Sequence, residues 1–237
     1  MRTIWTISKR EFGAYFKSPI AYVVLSAFVL PAGFLFFTNF FLVGNASMEG
    51  FFGNFTWILT FFAPAVAMRL LAEERATGTI EMLLTMPVRD WEVVTGKFLA
   101  GVGMLFVGLL LTLPYVYTVS KLGALDAGPV IGSYLGLLLS GSTYLAVGLL
   151  TSAMTKNQII ALILGFIICL GLFLLSNLFS ILAGPTLGAL LQYSSPAYHF
   201  QRMSRGVIEL RSVVYYLTFI AVLLVLSVQV LESRKWR

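Results

Sequence analysis

Six apolar runs constrain this chain more than any other feature. They cover approximately residues 20–43, 51–71, 96–119, 129–153, 159–182 and 213–231. Each approaches or exceeds the roughly 20 residues that a helix needs to cross the hydrocarbon core of a bilayer. No water is there to satisfy backbone groups, so such runs fold as helices that close their own hydrogen bonds. Only Arg69 and Lys97 place a charge inside a run, close to its end, where a long stem lets the charge snorkel. Pro31, Pro64 and Pro114 fall within spans, as kinks that neighbouring helices tolerate. Composition agrees: 11% of residues are charged, against roughly 25% in soluble domains. The expectation is an all-α polytopic membrane protein, one transmembrane domain over 1–237 with six spans.

Charge sets the orientation. With the N-terminus in the cytoplasm, 12 of the 16 Lys and Arg residues lie inside and 4 outside, which favours both termini in the cytoplasm. The net charge of +6 does not point to nucleic acid, because the basic residues sit between apolar runs. The leader, residues 1–18, has a helical period. Met1, Ile4, Trp5, Phe12, Tyr15 and Phe16 share an arc of about 120°, with Arg2, Lys9, Arg10 and Lys17 opposite. It reads as an interfacial helix, apolar face in the acyl boundary and basic face toward anionic headgroups. Ser18-Pro19 then turns the chain into the membrane. The following run is too long for a signal peptide and reads as a retained span.

Between the second and third runs lies a polar stretch, Ala72 to Lys97, with five of the ten acidic residues: Glu73, Glu74, Glu81, Asp90 and Glu92. Thr79 is placed to cap a short helix through Thr85, Pro87 to end it, and Asp90 to cap the next helix. That short helix would lie across the membrane surface and expose Ile80, Met82, Leu83, Leu84 and Met86. Such exposed apolar side chains need a partner surface or the lipid interface. Elsewhere, Gly132-x-x-x-Gly136 reads as close packing within the chain, and Asn39, Asn54 and Asn177 as interhelical hydrogen-bonding groups or a substrate path. In the outer segment, 183–212, Ser195-Pro196 starts a short interfacial helix and Gly206 stops it.

Catalytic constellations are missing from the sequence. There is no G-x-x-x-x-G-K-[ST] for ATP and no carboxylate or histidine chain inside a span. His199 is the only histidine and Cys169 the only cysteine, too few for a metal site or an internal disulfide. No catalytic residue, resident cofactor or metal is expected.

Residues 60–100 resemble the type 2 ABC exporter (ABC-2) permeases. The shared pattern is Pro64, Met68-Arg69, Glu73-Glu74-Arg75, Gly78-Thr79, Glu81, Leu83-Leu84, Pro87 and Gly96-Lys97. The run from Tyr198 to Ile208 is similar to the gliding-motility-type branch of compact six-span permeases. The resemblance implies a permease that dimerises, or pairs with a related membrane subunit, in the cell (inner) membrane. It implies two copies of a separate ATPase that holds the ATP and Mg. The 79–86 helix would be the coupling helix, contacting the ATPase through Glu73, Glu74, Arg75, Gly78, Thr79, Ile80, Glu81, Met82, Leu83, Leu84 and Pro87. The leader, with Trp5, Lys9, Arg10, Phe12 and Phe16, would be the connecting helix. Export of a substrate, with a hydrophobic or lipid-like molecule as the family expectation, would follow. The residues alone also fit a membrane scaffold that recruits a partner through 72–97 without transport.

Overall fold

The structure is a computed structural model and describes residues 2–38, 48–78, 88–122, 126–175, 188 and 191–233. Its helices are α1 (Arg2–Lys17), α2 (Pro19–Phe37), α3 (Glu49–Ala76), α4 (Asp90–Leu110), α5 (Leu113–Leu122), α6 (Ala127–Met154), α7 (Gln158–Leu174), α8 (Pro196–Met203) and α9 (Leu210–Glu232). No strand occurs among the described residues. Four helical stretches are long and apolar enough to cross a membrane: Gly50–Ala76, Asp90–Leu122, Ala127–Met154 and Leu210–Glu232. The pair α1 and α2, bent by 78°, makes a fifth if taken as one crossing, and α7 is shorter, at 17 residues. The protein is an all-α polytopic membrane protein.

Local chemistry sets the helix ends. Asp126 accepts from Gly128 N and starts α6, and Asn157 accepts from Ile159 N and starts α7. Ser195 accepts from Ala197 N with Pro196 in the first turn, so α8 starts where the sequence places it. Two ends differ from expectation. Asp90 does not cap α4: Arg89 is the cap residue, and its backbone N–H donates to Glu92 Oε2 at 3.2 Å. The second span runs on past its apolar run to Ala76, so Glu73, Glu74 and Arg75 stand on α3 and not in a loop.

α3 and α6 form the centre. In each, 72% of the most apolar stretch is buried, against 17% in α9. Lipid is as apolar as leucine, so close contact and hydrogen bonds hold such helices together more than burial does. Glycines make the contact. Gly101 and Gly141 each lie against a leucine of the facing helix, Leu145 and Leu105, and Gly108 lies under the Phe28 ring. Phe28 packs on Phe55 and Phe62 with ring centroids 4.9 and 4.0 Å away, joining α2 to α3.

The Gly132/Gly136 pair packs within the chain, as expected. A Cβ at Gly132 would run into Met203 O, and one at Gly136 would fall 2.9 Å from the Phe200 ring. The pair therefore seats α8 against α6. The apolar face of α8, with Ala197, His199, Phe200 and Met203, is buried against the bundle, while Gln201 is exposed.

Candidate functional site

The last two turns of α3 collect polar contacts from four directions. Lys97 of α4 reaches them first. Its side chain is 1% exposed, with Nζ 2.7 Å from Glu74 Oε1 and 3.4 Å from Glu11 Oε2 of α1. This corrects the expectation that Lys97 snorkels to water: it is buried between two carboxylates. A buried cation stays charged only when anions compensate it. Arg69 is also tied inward. Its Nε donates to Glu73 Oε2 at 2.9 Å, its Nη1 donates to Ser18 Oγ at 3.3 Å, and its guanidinium lies 5.9 Å over the Tyr15 ring. Tyr15 in turn donates its hydroxyl to Val66 O at 2.8 Å.

The fourth direction is α6. Arg75 Nη1 donates to Ala153 O, in the last turn of that helix. A cation on a C-terminal carbonyl also compensates the negative end of the helix dipole. Beside it, Ser152 Oγ accepts from Leu71 N at 3.1 Å and Ala72 N at 2.9 Å, and donates to Met68 O at 2.9 Å. Gly78, at φ +73°, follows α3 in the left-handed conformation that favours glycine and ends the helix.

A cleft of about 290 Å³ lies between α1, α3 and α4, lined by Glu11, Tyr15, Arg69, Glu73, Glu74 and Lys97 among others. Two cations facing three carboxylates make it a network of internal ion pairs. Among the described residues, no group of three His, Cys, Asp or Glu is placed to hold a metal ion.

Four of the expected ATPase-contact residues are among those described. Glu74 and Arg75 stand in the hub, Glu73 on its rim, and Gly78 at its exit. Thr79, Ile80, Glu81, Met82, Leu83, Leu84 and Pro87 lie outside the described residues, as do Asn39 and Asn177. On α1, Trp5, Lys9 and Arg10 are exposed, while Phe12 and Phe16 pack on the core. Ile4 and Ile7 meet Gly96, and Phe12 meets Gly103, so part of the apolar face of α1 rests on α4.

Sequence reasoning passed over Glu11 and Ser152, placed Tyr15 only on the apolar face of the leader, and read Arg69 as a snorkelling end and a member of the family pattern. One signal was present: a lysine inside a span calls for a partner, and Glu11 is the only acid in the leader. Nothing in the sequence separates Ser152 from Ser140 or Ser142.

At the opposite end, His199 has a structural place. Nδ1 lies 3.1 Å from Ser212 Oγ and Nε2 lies 3.0 Å from Tyr193 O, and the ring stacks on Tyr215 at 4.0 Å. Burial pushes its pKa below the ordinary value, and Arg202 and Arg211 act the same way; the Tyr193 hydrogen bond and Glu209 oppose them. Asn54 is exposed and lines a cleft of about 240 Å³ with Trp57, Phe173, Phe200 and Gln201.

Residues 38–231 match the family described as ABC-2 family transporter protein. The chain belongs to that family. ABC-2 proteins are the membrane component of ABC transporters and are not themselves catalytic. The matched range holds the α3, α4 and α6 parts of the hub; α1 precedes it. No curated protein matches the chain.

Proposed function

We propose that this chain is the permease subunit of an ABC exporter, of the compact six-span branch similar to the gliding-motility-type permeases. Both termini and residues 72–95 face the cytoplasm. The permease pairs with a second copy or a related membrane subunit, and two ATPase subunits dock beneath it. The 79–86 segment is the coupling helix and α1 the connecting helix. Export of a hydrophobic or lipid-like molecule is the family-level expectation.

One observation supports this reading above the others. The helix that leads into 79–87 is fixed near its end to α1 by Glu11–Lys97–Glu74, to α4 by Lys97, and to α6 by Arg75 and Ser152. A push passed from 79–87 into α3 therefore reaches three further helices through direct side-chain contacts. A protein that merely recruits a partner has no use for such a linkage.

The test is purification from the native membrane in mild detergent, with mass spectrometry of what accompanies the chain. Recovery of an ATPase at about one per permease is expected. Absence of any ATPase, even after crosslinking through cysteines introduced at 79–86, would put the scaffold reading first. In the recovered complex, Glu81→Lys and Leu83→Asp should leave the chain inserted and break the link between ATP hydrolysis and transport.

A further inference from the structure

Hydroxyl groups inside α6 differ in what they bond. Ser142 donates to Leu138 O, Thr143 to Leu139 O and Ser140 to Leu137 O, all within their own helix. That is the common fate of a serine or threonine buried in a helix, and it does nothing for the neighbouring helices. Ser152, 0% exposed, does the reverse. All three of its hydrogen bonds cross to the α3 backbone, at Met68 O, Leu71 N and Ala72 N. In a regular helix Ala72 N pairs with Met68 O. The Ser152 hydroxyl bonds both members of that pair, so it is built into the hydrogen-bond ladder of the other helix.

The short serine side chain gets there because the backbones are close. One turn earlier, Gly148 lies against Pro64 and Ala67; a Cβ on it would fall 2.9 Å from Pro64 Cα and 2.8 Å from Ala67 Cβ. Gly165 of α7 comes in beside it, where a Cβ would fall 3.1 Å from Pro64 Cβ and 3.5 Å from Gly148 Cα. Pro64 removes one rung of α3. The fixed stretch Met68–Arg75 therefore begins one turn beyond the weakest point of the helix. Arg75 on Ala153 O closes the other side of the same joint.

We infer that Ser152 is a positioning residue for the 79–87 segment: it makes the last two turns of α3 and the end of α6 one rigid piece that turns about Pro64. This rests on the permease reading, in which 79–87 receives the motion of the ATPase. Displacement of the segment is then delivered to α6, the most central helix along with α3.

The test uses the full chain in nanodiscs of phosphatidylethanolamine and phosphatidylglycerol, followed by hydrogen exchange and mass spectrometry. Ser152→Ala should raise exchange at Leu71 and Ala72 about tenfold, as expected for loss of a buried hydrogen-bond partner. Ser152→Thr, which keeps the hydroxyl, should restore protection. Ser142→Ala loses an equal hydroxyl from the same helix and should leave 68–76 unchanged. Equal exchange in Ser152→Ala and Ser142→Ala would overturn the clamp.

A second arm uses the complex with its ATPase and spin labels at Thr155 and Ser233. Trapping with ATP and vanadate should shift this pair in the wild type and leave it in place in Ser152→Ala. A shift of the same size in both would refute the positioning role while the permease reading stood. Recovery of no ATPase would remove the permease reading, and the positioning role with it, whereas the exchange difference would persist as a property of the fold.

Discussion

The two ends of the bundle are tied by different chemistry. At the α1 end, charged side chains hold one helix to another, as Lys97 of α4 does with Glu74 of α3 and Glu11 of α1, while Arg69 and Glu73 pair one turn apart within α3. At the α8 end the deep contacts are neutral and mostly end on backbone carbonyls. Ser195 donates to Leu172 O and Tyr216 to Pro196 O, with His199 between Ser212 and Tyr193 O; nearer the surface, Tyr215 donates to Ser194 O. Charges appear there on the rim, as Arg202–Glu209, with side chains 38% and 28% exposed. A neutral bond to a carbonyl fixes a chain path. Ion pairs between side chains can exchange partners as helices shift, while the cost of leaving any one of them unpaired keeps the helices together. In the proposed permease the α8 end holds its shape and the α1 end moves as a unit.

The largest expected effect comes from breaking the charged end at its centre. Lys97→Ala leaves Glu74 and Glu11 facing each other without their cation, at a cost of about 3 kcal/mol. The melting midpoint in detergent should fall by about 6–12 °C. Lys97→Met combined with Glu74→Gln should recover most of the loss, since Glu11 retains Arg10 at 2.9 Å. A double variant as unstable as Lys97→Ala would mean that packing, and not charge, holds this end.

At the α8 end the matching break is steric. Gly132→Ala puts a methyl group on Met203 O, a backbone atom that cannot turn aside. Seating α8 further out should cost about 2 kcal/mol and lower the midpoint by about 4–8 °C. Gly136→Ala meets only the edge of the Phe200 ring, which can shift, and should cost less. If Gly136→Ala were the worse of the two, α8 would not be anchored through its backbone.

A smaller effect separates the ends by pH. His199 is held neutral by burial, so its folded pKa lies below the unfolded value near 6.5. Between the two values the unfolded chain binds more protons, so stability falls as pH drops below about 6.5 and is complete above it. His199→Asn should flatten thermal stability over that window. A slope that survived the substitution would have to come from elsewhere in the chain.

How much of this was legible in the sequence follows the same division. The start of α8 is read from Ser195-Pro196, where a short polar side chain satisfies a backbone N–H in place; Asp126 and Asn157 start α6 and α7 by the same chemistry without having been picked out from the sequence. The Gly132/Gly136 contact is readable as close packing, though its partner is not. Lys97 misleads because stem length is visible in a sequence and the carboxylates waiting for it, 23 and 86 residues away, are not. The extension of α3 to Ala76 is hidden because Glu73-Glu74-Arg75 reads as solvent-exposed polarity until Ala153 O and Lys97 are placed beside it. Ser152 is beyond sequence reading altogether, since its role depends on the Gly148–Pro64 approach one turn away.

The finest test compares one bond made twice. Tyr15 donates a buried hydroxyl to Val66 O at 2.8 Å in the hub, and Tyr216 donates one to Pro196 O at 2.7 Å at the α8 end. Each phenylalanine variant removes one neutral hydrogen bond and leaves a carbonyl short of a donor, at about 1 kcal/mol. The two should therefore lower the melting midpoint by the same small amount, about 2–4 °C. Function should separate them. Tyr15 is the point where α1 grips α3 beneath Arg69, so Tyr15→Phe should alter how strongly the membrane chain stimulates its ATPase, and Tyr216→Phe should not. Equal stimulation in both, at equal stability, would mean that the α1 end transmits no more than the α8 end does, and the contrast between a moving end and a fixed one would be lost.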